Sequence, residues 1–367
     1  MGHLPAKFLA IVAALGGLPS CGESARAVPE GTPDAASADA APPADSLRAL
    51  GLFDDTVVQT PKAGVVPYDV IATLYADEAQ KLRFMALPKG KQAVYDASAM
   101  WDYPDGTRFV KTFFFYRDAR DPSLGRRLIE TRIIERTGDT WTGRTYAWDD
   151  VQKEALRLKV GRMESISFTD ENGDDRTLDY RIPNDNECKT CHSKDHVFEP
   201  LGPRTRELDH VEGGGADDGG AVTEVDRLAA LGLLGGDIQP RAERVALSDP
   251  YGSDPLERRA RSYLDANCSH CHRPGGEAGA TALDLRFENT DTYGLGFCRT
   301  PVAAGPGSGG RDYDIVPGSP DDSILVFRMS SVDPELKMPQ IPTLTSDARG
   351  TALISEWIGS LDPKKCN

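Results

Sequence analysis

The sequence is poor in the features that mark several common classes of protein. Positive charge is in deficit: 42 Lys and Arg stand against 57 Asp and Glu, a formal net charge of −15, which excludes nucleic-acid binding through a generally basic surface. The apolar run Phe8–Leu15 is too short for a stable bilayer span. No phosphate-cradling loop, nucleotide-fold fingerprint or hydrolase triad is visible. Aromatic residues make up only 7% of the chain, yet 39% hydrophobic residues over 367 positions suffice for ordinary cores in two or three domains.

Cysteine and histidine are also scarce, at seven and six residues, so their placement is informative. Cys188-Lys189-Thr190-Cys191-His192 and Cys268-Ser269-His270-Cys271-His272 both have the form C-x-x-C-H, the attachment sequence for covalently bound c-type haem. Chance would supply roughly 0.002 such strings in a chain of this composition. Thiols at i and i+3 share one side of a helical turn, where they can add to the two vinyl groups along one haem edge, and the next residue faces the iron. We therefore expect two covalently bound haem c groups, held by Cys188, Cys191, Cys268 and Cys271, with His192 and His272 as proximal ligands. A four-thiolate zinc site or a redox dithiol also uses C-x-x-C. The zinc alternative leaves each following His unexplained and spans a loop of roughly seventy-five residues.

The N-terminus resembles a bacterial export signal, with His3 and Lys7 before the short apolar run. Leu18-Pro19-Ser20-Cys21 resembles a lipoprotein box, which makes Cys21 the expected lipidation site and membrane anchor. Pro19 departs from that pattern, and ordinary cleavage near Ala25–Ala27 is the alternative. Gly22 resembles the signal for the outer membrane. The expected location is therefore outside the cytoplasm, in the periplasm and anchored to the outer membrane. An oxidising compartment permits disulfides, and Cys298 and Cys366 are the two cysteines left over; we expect them to pair, two buried free thiols being the alternative.

Along the chain we expect a signal peptide at 1–20, a disordered tether at 21–60, a β domain at 61–182, a first haem segment at 183–248 and a second haem domain at 249–367. Residues 22–48 are rich in Ala, Pro, Asp, Ser and Gly and cannot bury enough surface to fold. Between about Val65 and Tyr180, β-branched and aromatic runs at 108–116, 128–134 and 165–168 alternate with turn residues, which predicts an antiparallel β-sandwich-like domain. Asn172-Gly173 predicts a type I′ hairpin, and the acidic run around it lacks the glycine and closing Glu of a calcium loop. Trp101, Trp141 and Trp148 read as core or rim aromatics. After the first motif, Thr223 and Asp226 predict a helix start, with Val225, Leu228 and Leu231 on one face.

Residues 255–264 form an amphipathic pattern running into Cys268. A closing helix is expected after Ser346-Asp347, with Leu353, Ile354, Trp357, Ile358 and Leu361 as its stripe. Between them stands Lys337-Met338-Pro339-Gln340. This arrangement resembles class I cytochrome c, which implies that Met338 is the second axial ligand of its haem; Met329 reads as packing. The insertion around 283–318 departs from that family and is expected to form an extra lobe. For the first haem, His210 or Met163 could supply the second ligand, and an open position is the third option. His196 lies too close in sequence to His192 to reach the other face, and His270 reads as packing or a hydrogen-bond donor.

The whole chain resembles a group of exported bacterial dihaem cytochrome lipoproteins, which implies architecture only. The expected class is a multidomain protein, β-sandwich-like and then mainly α with cytochrome c-type haem segments. Its expected function is single-electron transfer between redox proteins with basic docking faces. A dihaem peroxidase or small-molecule dehydrogenase acting at the first haem, and a haem-bearing module that docks through the β domain, are the alternatives.

Overall fold

The computed structural model describes residues 45–211, 222–341, 343–363, 365 and 366; Cys21 and the expected signal peptide lie outside the described residues. The β-branched and aromatic stretch expected as strands forms a six-stranded antiparallel meander. Its strands, neighbours in chain order, are β1 (Val65–Pro67), β2 (Gln80–Ala86), β3 (Arg108–Tyr116), β4 (Arg126–Thr137), β5 (Thr140–Trp148) and β6 (Ala155–Leu158). A two-residue loop at Gly138-Asp139 joins β4 to β5, and Gly138 takes the positive φ of 58° that such hairpin turns require.

Alternation along β3 assigns the two faces. Val110 and Phe114 pack with Leu47, Leu52, Phe53 and Trp148 on one side; the tether expected at 21–60 is therefore too long, because buried Leu47, Leu52 and Phe53 fold its described part, from residue 45, onto the sheet. On the other, Phe113 and Phe115 meet Ile166, Leu178, Tyr180 and Ile182 of a separate hairpin, β7 (Arg162–Thr169) and β8 (Asp175–Ile182). Its tip is a five-residue loop, since Thr169 pairs with Asp175, and not the expected two-residue type I′ turn. The reason is Asp170, whose carboxylate accepts from the backbone N–H groups of Asn172 (2.9 Å) and Asp174 (3.0 Å), an Asx arrangement that stabilises a longer loop.

Six helices follow. They are α1 (Asp185–Cys191), α2 (Thr205–Leu208), α3 (Glu224–Ala230), α4 (Leu256–Asn267), α5 (Ile324–Ser330) and α6 (Ala348–Ser360). Thr223 caps α3, and Val225 and Leu228 are fully buried. Leu231 does not share that face: the helix ends at Ala230 and Leu231 is 54% exposed. Trp101 and Trp148 are core residues, with indole N–H groups donating to Thr205 Oγ1 (2.9 Å) and Thr131 Oγ1 (3.2 Å); Trp141 is partly buried and stacks on Phe109.

Helices α4 and α6 pack around Ala260, Tyr263, Leu264, Leu353, Ile354, Trp357 and Ile358. Their close approach depends on Gly350, because a Cβ there would overlap the Tyr263 ring. The 283–318 segment contributes Leu285, Leu295 and Ile315 to the same core. Cys298 and Cys366 are joined by a disulfide across 68 positions, tying this segment to the C-terminal tail. Reducing it, or making C298S/C366S, is expected to cost about 4 kcal/mol in the loop-entropy account, measured by urea unfolding. A loss below about 1 kcal/mol would mean that the loop is closed by its other contacts.

No helix among the described residues is long and apolar enough to cross a membrane.

Candidate functional site

The first C-x-x-C-H motif occupies α1 and its end. Asn184 and Glu187 form a capping box: the Asn184 side chain accepts from the N–H groups of Asn186 and Glu187, and Glu187 accepts from Asn184 N–H at 2.9 Å. This cap fixes the start of a seven-residue helix on which Cys188 and Cys191 are one turn apart, with His192 as the C-cap. α1 lies against β5 at Gly143, where a Cβ would come within 3.1 Å of the Phe198 ring and 3.8 Å of Cys188 Cβ. The second motif follows α4, with Cys268 as its C-cap and the N–H groups of Cys271 and His272 donating to the Cys268 carbonyl. It is a turn at a helix end, not a helical turn within one.

Both imidazoles are set in the same tautomer. His192 Nδ1 lies 3.1 Å from the Glu199 carbonyl, which only accepts, so Nδ1 carries the proton and Nε2 keeps its lone pair. His272 Nδ1 lies 3.3 Å from Thr281 Oγ1, whose own hydrogen goes to the Ala278 carbonyl at 2.7 Å. The same assignment follows. Desolvation holds both histidines at about 4, so at neutral pH each presents a neutral Nε2 able to bind a metal. Burial also pushes the Cys188 thiol up, and the Cys268 thiol up to about 12.

The two motif histidines border different cavities, while Cys191 and His270 line both. One of about 340 Å³ is lined by Cys268, Cys271, His272, Met329 and Met338, with Leu283, Leu285, Leu295 and Ile315 of the 283–318 segment forming a wall. Met338 is half-buried and anchored by its N–H on the Arg328 carbonyl (2.9 Å). Met329 is also a core residue, 5% exposed. The other cavity, about 200 Å³, is lined by Cys188, Cys191, His192 and Phe198 together with Arg83, Lys111, Arg132 and Arg144 of the sheet. The sheet therefore supplies the floor of the first motif's cavity.

Neither residue expected as the second ligand there borders that cavity. Met163 is on β7, 54% exposed, because it points to the solvent side of a two-stranded hairpin. His210 follows α2 and turns its ring to the Asp69 and Val211 carbonyls, both at 3.3 Å. His196 is exposed.

The two motifs touch, a feature that sequence spacing did not reveal. Cys191 Sγ, Cys271 Sγ and a ring nitrogen of His270 lie within 4.8 Å of one another. Cys271 Sγ is 3.7 Å from the Thr190 carbonyl. The contact with the Cys271 thiol holds Cys191 low and pushes Cys271 up. Two flanking contacts lock this junction: Asp195 N–H to the Gly275 carbonyl (2.8 Å), and Arg273 to Glu199 (2.8 Å). Chemically, each pair of thiols could bond the edge of a cofactor, each His could ligate its metal, and Cys191, His270 and Cys271 could alternatively share one ion.

No protein-family model, curated protein or solved structure matches the chain.

Proposed function

We propose that the protein is a dihaem c-type cytochrome that passes single electrons between redox proteins outside the cytoplasm. The observation that carries this reading is the paired arrangement: two C-x-x-C-H motifs, whose histidines border two different cavities, meet at Cys191 and Cys271. The donor chemistry fits haem, since each motif offers two thiols and a histidine whose Nε2 is free while Nδ1 is hydrogen-bonded. A bound haem supplies one-electron iron chemistry.

The residues of this chain do the rest. Cys188, Cys191, Cys268 and Cys271 hold the groups, and His192 and His272 ligate and orient them. Met338 supplies a thioether on the cavity opened by the second motif, which favours reduced iron. The apolar wall from the 283–318 segment excludes water. The sheet walls the first site, and with the hairpin packed on it makes a sandwich-like pair of layers. Partners are redox proteins with a basic face, complementary to the net charge of −15. The lipid anchor at Cys21 and the outer-membrane location belong to the same proposal.

A redox-poised absorption and EPR titration tests this. Two one-electron transitions with six-coordinate, low-spin iron are expected, and Met338→Ala lowers the potential of one of them while leaving the other in place. Hydrogen peroxide turnover with a resting high-spin haem would move the function to catalysis.

A second reading rests on the Cys191–His270–Cys271 cluster, whose donors suit a single zinc-like ion. It leaves Cys188, Cys268, His192, His272 and both cavities without a role, so we rank it below.

A further inference from the structure

The floor of the first cavity carries an arrangement that sheets ordinarily avoid. Arg83 of β2 is the direct partner of Lys111 on β3, and Lys111 is the direct partner of Arg132 on β4. Three cations thus stand in one row across three adjacent strands, on one face, all bordering the cavity. Like charges directly opposite one another destabilise a sheet. The outer two are compensated: Arg83 by Asp69 at 2.6 Å, and Arg132 by Glu130 at 2.5 Å. Among the described residues Lys111 has no carboxylate at ion-pair distance, and its Nζ lies 5.2 Å from the centre of the Phe113 ring. As an ammonium it would lie between two guanidiniums with no counter-ion of its own.

We propose that Lys111 is the second axial ligand of the first haem, binding iron through the lone pair of its neutral amine. This rests on the haem reading above. Coordination removes the charge that the row cannot accommodate. The other groups around the cavity are poorer candidates. The arginines carry no lone pair to give, and Glu187, Glu207 and Asp265 are each held in ion pairs. His270 is fixed beside the Cys191 and Cys271 sulfurs at the motif junction. Tyr68 borders the cavity, but a buried neutral phenol is a weak donor. A lysine ligand would leave the first site closed, as befits a carrier.

The competing role for Lys111 is as a cation paired with a haem propionate, and Lys111→Arg separates the two, because arginine keeps the charge and cannot ligate. The experiment uses holoprotein shown by mass to carry both haems, with ferric EPR and cyanide titration. The wild type is expected to be low-spin at both irons. In Lys111→Arg and Lys111→Ala, half of the iron becomes high-spin and binds cyanide, n-propylamine restores the low-spin signal in Lys111→Ala, and Tyr68→Phe changes nothing. A Lys111→Arg protein that stays low-spin at both irons, or a wild type with one high-spin iron, would overturn the assignment. A preparation without covalent haem would instead overturn the reading on which it rests.

Discussion

Replacing Glu130 with alanine is expected to cost about 3–5 kcal/mol of stability. The Glu130 side chain has no exposure to solvent. It accepts from Arg132 Nε (2.7 Å) and Nη2 (2.5 Å), and from the Tyr180 hydroxyl (2.7 Å). Truncation strands a guanidinium at the cavity floor with only the Phe113 ring, 4.4 Å away, as partner, and removes the acceptor of a buried phenol. Breaking a buried pair from one side carries this large penalty because the surviving charge is left uncompensated. Glu130→Gln keeps the shape and one acceptor, so its loss is smaller. Urea unfolding of the holoprotein reads both; a Glu130→Ala loss under about 1 kcal/mol would show that Arg132 finds water or another acid.

Asp77→Ala is expected to cost a comparable amount, about 3–4 kcal/mol, and to loosen the second site. Asp77 is 2% exposed. Its carboxylate accepts from Leu344 N–H (2.9 and 3.0 Å), Thr345 N–H (2.8 Å) and Thr345 Oγ1 (2.6 Å). Two backbone donors lose their partners on truncation, at about 1–3 kcal/mol each. The effect reaches the site because Tyr75, two residues earlier, donates its N–H to Asn267 Oδ1 (2.7 Å) and shares a hydrogen bond with Thr345 (2.7 Å). One segment of the β region therefore holds both the helix end before Cys268 and the loop after Met338. Hydrogen exchange should rise at 337–346 in Asp77→Ala; unchanged protection there would mean that the loop is held from elsewhere.

The parts of this architecture that were legible in the sequence are local. Strand β3 follows from an uninterrupted β-branched and aromatic run, and α6 from an apolar stripe behind Asp347, which caps it by accepting from Gly350 N–H at 2.8 Å. The C-x-x-C-H strings mark Cys188–His192 and Cys268–His272 without reference to any fold. The pieces that escaped depend on pairing between distant segments. Lys111 is unremarkable in the string Val110-Lys111-Thr112, and only the register with Arg83 and Arg132 turns it into the middle of a cationic row. The meeting of Cys191 with Cys271 and the grip of Asp77 on residues 344–345 are equally non-local. Chain distance alone allows His210 and Met163 to reach the first site, whereas hydrogen bonding to carbonyls directs the first away and hairpin alternation the second.

The most direct test of the central proposal is the intact mass of the purified, exported protein, combined with a pyridine haemochrome assay and metal analysis. The account predicts two covalent haems per chain, one iron for each, and no free thiol at Cys188, Cys191, Cys268 or Cys271. An apoprotein mass with four titratable thiols, or a single zinc ion in place of iron, would contradict it.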